Sequence, residues 1–264
     1  HAVASRLLTF DLPLIETGID TAPEAAISVL IFVYVLAAWF NTRIPSTGVE
    51  MRPIPRNPLE LLPDFWTCNA RLWRDKLGQI SLATTTLFWG VSGNLRYIVL
   101  AWAAAALGYS VTQASTLVGV VAIGTAVGAV VASLRMRLDM ATSVIPMGIG
   151  MGLLVILLNF IDNVWVAAPF LILLGGLGGF LVVPMNALLQ HRGHQLLTAG
   201  RSIAVQGFNE NLSVLAMLGA YALCLHQGLD IVSLLCGLGL LVAVSLGALL
   251  LRTRALHHGV VRTG

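Results

Sequence analysis

Seven apolar runs follow one another along this chain of 264 residues, at about 24–40, 80–106, 113–134, 142–160, 164–189, 197–225 and 230–251. A run of roughly 17 to 25 apolar residues is long enough to cross the hydrocarbon core as a helix. In lipid only helices and closed barrels satisfy every backbone N–H and C=O, and barrel strands are short and alternate in polarity. These runs do neither. The expected fold class is therefore all-α: a polytopic transmembrane helical bundle of seven spans. Composition agrees, at 57% hydrophobic and 10% charged residues with a mean hydropathy of +0.87, far from the usage of a soluble domain.

The formal charge of +3 would suit nucleic acid if it were gathered on a folded surface. Instead the positive residues sit in short connections, where they act as topology signals, and no nucleic-acid partner is expected. Arg43, Arg52, Arg56, Arg71, Arg74 and Lys76 fall in 41–79, Arg135 and Arg137 in a later loop, Arg192 and Arg201 in another, and Arg252, Arg254 and Arg262 in the tail. The alternate loops, "GYSVT", "IDNVW" and "HQGLD", hold no Lys or Arg. Short basic loops stay cytoplasmic, so the amino end is expected outside and the carboxyl end inside, in a multi-pass membrane protein.

The connection 41–79 divides by composition. "RIPSTGVEMRPIPRNP" is rich in proline and polar residues, which favours an extended linker. "LPDFWTCNARLWRDKLGQ" sets Phe65 and Trp66 seven residues before Leu72 and Trp73, with Arg71, Arg74 and Lys76 elsewhere. That pattern fits a helix lying on the inner membrane surface, with a solvated linker helix as the alternative. Cys68, Cys224 and Cys236 have neither disulfide parity nor ligand spacing. The chain starts at His1 with no signal-peptide pattern, and the amino-terminal part of the protein is expected to lie outside it.

Every third span, at 24–40, 142–160 and 230–251, is free of interior charge, which suggests triplets of two inward-facing helices and one peripheral helix. The others hold the chemistry. Asn94 and Arg96 lie in 80–106, Asn186 near the inner end of 164–189, and Gln206, Asn209 and Glu210 in 197–225. An ionisable side chain at mid-bilayer costs at least ~2.5 kcal/mol and normally faces a partner or a wet cavity. Counted at ~1.5 Å per residue from inner edges at about 80 and 197, Arg96 and Glu210 fall at similar depth. Two readings stand: a fixed salt bridge, or two groups that share a ligand. Gln206, Asn209 and Glu210 occupy one turn and are expected to form a polar stripe, for which interhelical hydrogen bonding is the simpler reading. Asn186 and Gln190 form an i, i+4 pair beside Pro184, where a lost backbone bond should perturb the helix. In the 113–134 span Gly124 and Gly128, and in the next but one Gly175, Gly176, Gly178 and Gly179, signal close helix packing. His191 and His194 in an inner loop lack the companions a metal needs, so neither metal nor cofactor is expected, and no nucleophile with its base is in view.

The segments "TLFWGVSGNLRYIVL", "GGFLVVPMNALLQHRGH" and "TAGRSIAVQGFNENLSVLAMLGAYAL" closely resemble bacterial lysophospholipid transporters of the major facilitator superfamily, over nearly the whole chain. The resemblance implies the sixth to twelfth spans of a twelve-helix transporter. It implies transport of lysophosphatidylethanolamine and related lysolipids inward across a bacterial inner membrane for re-acylation, and so a functional link to a lysolipid acyltransferase. It also implies a missing amino-terminal bundle as partner, and Arg96, Glu210, Asn94, Asn186, Gln190, Gln206 and Asn209 as substrate-binding residues, with membrane lipids around them. Its division of the chain is an outer segment 1–22, a span 23–40, a cytoplasmic linker with its interfacial helix 41–79, a six-helix bundle 80–251 and a basic tail 252–264. A proton-coupled exporter of amphiphilic drugs is the alternative within the same fold, and an enzyme is disfavoured.

Overall fold

The computed structural model describes residues 22–44 and 58–261, and every long element among them is an α-helix. The expected outer segment and most of the proline-rich linker lie outside the described residues. Two compact units are present, 1–56 and 57–264. In the first, helix α1 (Ala22–Asn41) exposes apolar side chains such as Ile31, Phe32, Val35 and Phe40. It ends where Arg43 stacks over Trp39, 4.8 Å from the ring centre.

The second unit contains seven helices: α2 (Leu61–Arg74), α3 (Lys76–Leu107), α4 (Val111–Arg135), α5 (Ile145–Leu157), α6 (Val164–Leu196), α7 (Ala199–His226) and α8 (Ile231–Val261). Local chemistry sets their ends. Asp75 separates α2 from α3 and caps the latter, its Oδ2 accepting from Gly78 N at 2.8 Å. Gly108 closes α3 at φ 64°, a left-handed conformation that suits glycine. Ser110 and Gln113 then form a reciprocal capping box on α4, and the Asn163 side chain accepts from Trp165 N to start α6. 3-10 segments, Leu138–Val144 and Leu158–Phe160, extend α5 at both ends.

Five stretches are long and apolar enough to cross a membrane: Val111–Arg135, Leu138–Phe160, Val164–Leu196, Ala199–His226 and Ile231–Ala255. Helix α3 is longer than most, at 32 residues, but Ser81, Thr84, Thr85, Thr86, Ser92, Asn94 and Arg96 dilute its apolar content. The described part of α1 is short. Seven crossings are therefore a proposal, while the all-α polytopic bundle stands.

Glycine brings α4 and α6 together. A Cβ on Gly124 would collide with the Ile172 carbonyl, on Gly128 with Gly176 O, on Gly175 with Val121 O and on Gly179 with Thr125 O. The close packing expected of these glycines is thus a two-sided seam. Gly152 and Gly239 bring α5 against α8 in the same way, each facing the other's carbonyl oxygen. The core between the helices is apolar, built on Trp102, Ile145, Leu158, Leu171, Leu181, Met185 and Leu235.

Two expectations are corrected. The charge-free 142–160 span does not face outward all round: 44% of its apolar stretch is buried, against 6% for polar α7. Glycines on α5 admit α8, whereas among the described residues α7 is covered along one face only. Helix α6 continues through Pro169 and Pro184 to Leu196, so His191 and His194 sit on a helix rather than in a loop. Residues 252–261 continue α8.

Candidate functional site

Midway along α7 a polar cluster joins three helices. Gln206 and Glu210 are one turn apart on one face, and the Gln206 amide donates to Glu210 Oε1 at 2.8 Å. Its Nε2 also donates to Asn186 Oδ1 on α6 at 3.0 Å. On α3, the buried Thr85 hydroxyl lies within hydrogen-bonding reach of the Glu210 carboxylate. Glu210 is half-buried and has no ion-pair partner among the described residues. One amide–carboxylate link, from Gln206, therefore holds a carboxylate with no cation paired to it among the described residues, on the least buried of the five membrane-length helices. Such a group suits a cationic ligand or a proton.

Asn209 leaves the expected stripe. It projects about 100° from Glu210 and meets α2, where its Nδ2 donates to Asn69 Oδ1 at 2.8 Å and its Oδ1 accepts from Trp73 Nε1 at 3.2 Å. With a further bond to Val205 O it is saturated, a helix tether rather than a free ligand. The amphipathic helix expected from Phe65, Trp66, Leu72 and Trp73 is thus docked on the bundle. Cys68 and Leu72 are buried with Leu82, Leu189 and Val205, and Phe65 and Trp66 meet Phe208 edge to face. Two ion pairs fasten it. Arg192 grips Asp75 through Nε at 3.0 Å and through Nη2, and Arg201 pairs with Asp64. The Arg192 hydrogen bond holds the Asp75 carboxyl below the usual carboxylate range, against the opposing effect of burial.

Arg96 does not pair with Glu210. Its guanidinium stacks on Tyr97, 4.9 Å from the ring centre, and donates to the Tyr97 hydroxyl at 3.0 Å. Arg96 borders a cavity of about 430 Å³ against Val118, Val121 and Ala122 of α4. The shared depth expected from residue counting fails because α3 starts at Lys76 and α7 at Ala199, which sets Arg96 roughly 30 Å and Glu210 roughly 17 Å along their helices. Asn94 is 2% exposed; its Nδ2 donates to Gly90 O at 2.8 Å and to Val214 O at 3.4 Å. Gln190 is exposed and makes no hydrogen bond among the described residues. The structure therefore gathers Glu210, Gln206 and Asn186, and leaves Arg96, Asn94, Asn209 and Gln190 apart from them.

Sequence reasoning missed Thr85, Asn69 and Asp75, and read Trp73 and Arg192 only as part of a membrane-surface helix and as a topology signal. Only Asp75 had a local signal, an acidic residue three before Gly78 at a helix start. Among the described residues no three His, Cys, Asp or Glu side chains gather closely enough for a metal ion, and His191 is bonded to Gln195.

Over 209 residues the chain is 36% identical to the lysophospholipid transporter LplT of Pectobacterium carotovorum, covering 79% of this chain and 51% of that protein. It is 34% identical over 225 residues to the LplT of Photorhabdus laumondii, 85% of this chain and 56% of the relative. This chain is a homologue of the lysophospholipid transporters. The LplT of Yersinia pestis (strain Pestoides F) is 37% identical over 210 residues, 79% of this chain and 52% of its own length. The chain spans about half the length of these curated relatives. No protein-family model and no solved structure matches it.

Proposed function

We propose that this chain forms the carboxyl-terminal bundle of a lysophospholipid transporter of the major facilitator superfamily. In this reading it moves lysophosphatidylethanolamine and related lysolipids to the inner face of a bacterial inner membrane, where an acyltransferase restores the second chain. The observation that carries the reading is Glu210, an unneutralised carboxylate held by Gln206 among apolar helices in a homologue of lysophospholipid transporters. The head group of an ethanolamine lysolipid presents an ammonium to such a carboxylate. Gln206 and Asn186 orient it, and Arg96, further along α3, contacts phosphate at a separate point on the lipid's path. A two-carbon ethanolamine link is too short to span Arg96 and Glu210 together.

An amino-terminal bundle closes the other wall of the cavity against the uncovered face of α7. The basic loops keep the carboxyl end cytoplasmic, and the chain acts without catalysing a reaction. A second reading, a proton-coupled exporter of amphiphilic drugs, draws on the same lone carboxylate as its protonation site. Uptake of radiolabelled lysophosphatidylethanolamine by the full-length protein, in cells lacking their own route, separates the two. Lysolipid accumulation is the expected result. Drug efflux without lysolipid uptake would favour the exporter.

A further inference from the structure

A second cavity, of about 320 Å³, opens between α3, α7 and α8. Its α7 wall is Met217, Tyr221 and Cys224, and Gly237 and Leu241 of α8 with Asn94 of α3 complete the part that matters here. Met217, Tyr221 and Cys224 follow Glu210 by seven, eleven and fourteen residues, and those spacings return to one helix face. The carboxylate and the cavity therefore lie along a single stripe of α7. The cavity begins roughly 10 Å beyond Glu210.

The walls are apolar apart from a few groups, and one of these is anomalous. Asn94 Oδ1 is buried without a hydrogen-bond partner, although the residue is 98% buried. The amide cannot be turned to relieve this, because Nδ2 already donates to two carbonyl oxygens, Gly90 O and Val214 O. A buried unpaired acceptor is costly unless some donor reaches it.

We propose that this cavity is the acyl-chain slot of a one-chain lipid and that Asn94 Oδ1 accepts the free glycerol hydroxyl, the group that distinguishes such a lipid from its two-chain product. The inference rests on the lysolipid reading above. The head group sits at Glu210, the glycerol passes Asn94 at the near end, and the acyl chain runs along Met217, Tyr221 and Cys224. Occupancy by one chain and a donor requirement at its mouth together exclude a diacyl lipid, which has a second chain where the hydroxyl would be.

The test compares uptake of palmitoyl lysophosphatidylethanolamine with its analogue lacking the free hydroxyl, by full-length protein in membranes. Wild type is expected to favour the hydroxyl lipid by about fivefold, the worth of one net hydrogen bond, and Asn94→Leu to lose that preference. A wild type that carries both lipids equally overturns the role of Asn94, whether or not the variant inserts. Gly237→Leu tests the slot. A Cβ there meets nothing within 4 Å and the position is exposed, so the backbone need not shift to admit the side chain while the cavity narrows. Palmitoyl uptake should then fall by about fourfold for each methylene displaced, with decanoyl uptake retained. Equal loss for both lengths overturns the slot. Absence of lysolipid uptake by wild type instead removes the reading on which both rest.

Discussion

The α4–α6 seam and the α3–α7 contact are both close helix pairs, built on opposite principles. Along α4–α6, glycines on both helices let backbone meet backbone, with Gly124 and Gly128 answered by Gly175 and Gly179. No charge is needed there, and packing alone holds the pair. Along α3–α7, Gly90 and Gly93 admit Ser213 and Val214, but the same contact carries Asn94 with an unpaired acceptor and Glu210 with a charge that no ion pair meets among the described residues. A scaffold is finished when its backbone and polar groups are satisfied. A binding face keeps groups in reserve.

The largest effect that separates the two belongs to the seam. Gly128→Leu and Gly179→Leu force a side chain into a facing carbonyl oxygen, and overpacking a filled core is destabilising by ~1–3 kcal/mol or more. Most of the protein should be lost from the membrane, as read by quantitative blotting. Normal accumulation of either variant would show that the seam yields. Replacing Arg96 and Glu210 by glutamine, singly and together, comes next. Because Arg96 stacks on Tyr97 and not on Glu210, the double variant should recover none of the uptake lost by the single ones. Recovery would mean a buried salt bridge forms after all.

A smaller effect is expected where α2 is fastened. Asp75→Asn breaks the grip of Arg192 and should raise alkylation of Cys68, which docking buries, by a few-fold; an unchanged rate would show that the Arg201–Asp64 pair, the Asn209 bonds and the apolar contacts hold α2 without it. The pH dependence has a definite sign. A carboxylate held below its ordinary range stabilises above that range, and the contribution is lost as pH falls through the lowered value. Hydrogen exchange over 61–74 should therefore stay slow from neutral pH to about pH 4 and quicken only in stronger acid, after correction for intrinsic rates.

Much of this was legible from residue spacing. The helices, the glycine faces and the amphipathic pattern of 62–79 all follow from short-range periodicity. The partners of Asn209 did not, because Asn69 and Trp73 are more than 130 residues away and nothing local says which way a docked helix turns. Adjacent residues also separate on a helix: Asn209 and Glu210 look like one stripe in sequence, but Asn209 bonds Asn69 and Trp73 of α2 whereas Glu210 bonds Gln206 one turn away. The depth of Arg96 was misjudged for a related reason. Height along a helix is measured from its first residue, and Asp75, which fixes that residue for α3, lies inside a segment that reads as linker.

The central claim is that Glu210 binds the amine of the head group, and one comparison tests it most directly. Full-length wild type and Glu210→Gln are assayed for uptake of lysophosphatidylethanolamine and lysophosphatidylglycerol, each normalised to membrane protein. Loss of a charge-assisted hydrogen bond costs ~1.5–3 kcal/mol, so the ethanolamine lipid should fall by about tenfold or more while the glycerol lipid, which has no amine, stays near wild type. Equal loss for both lipids would contradict the assignment of Glu210 to the substrate.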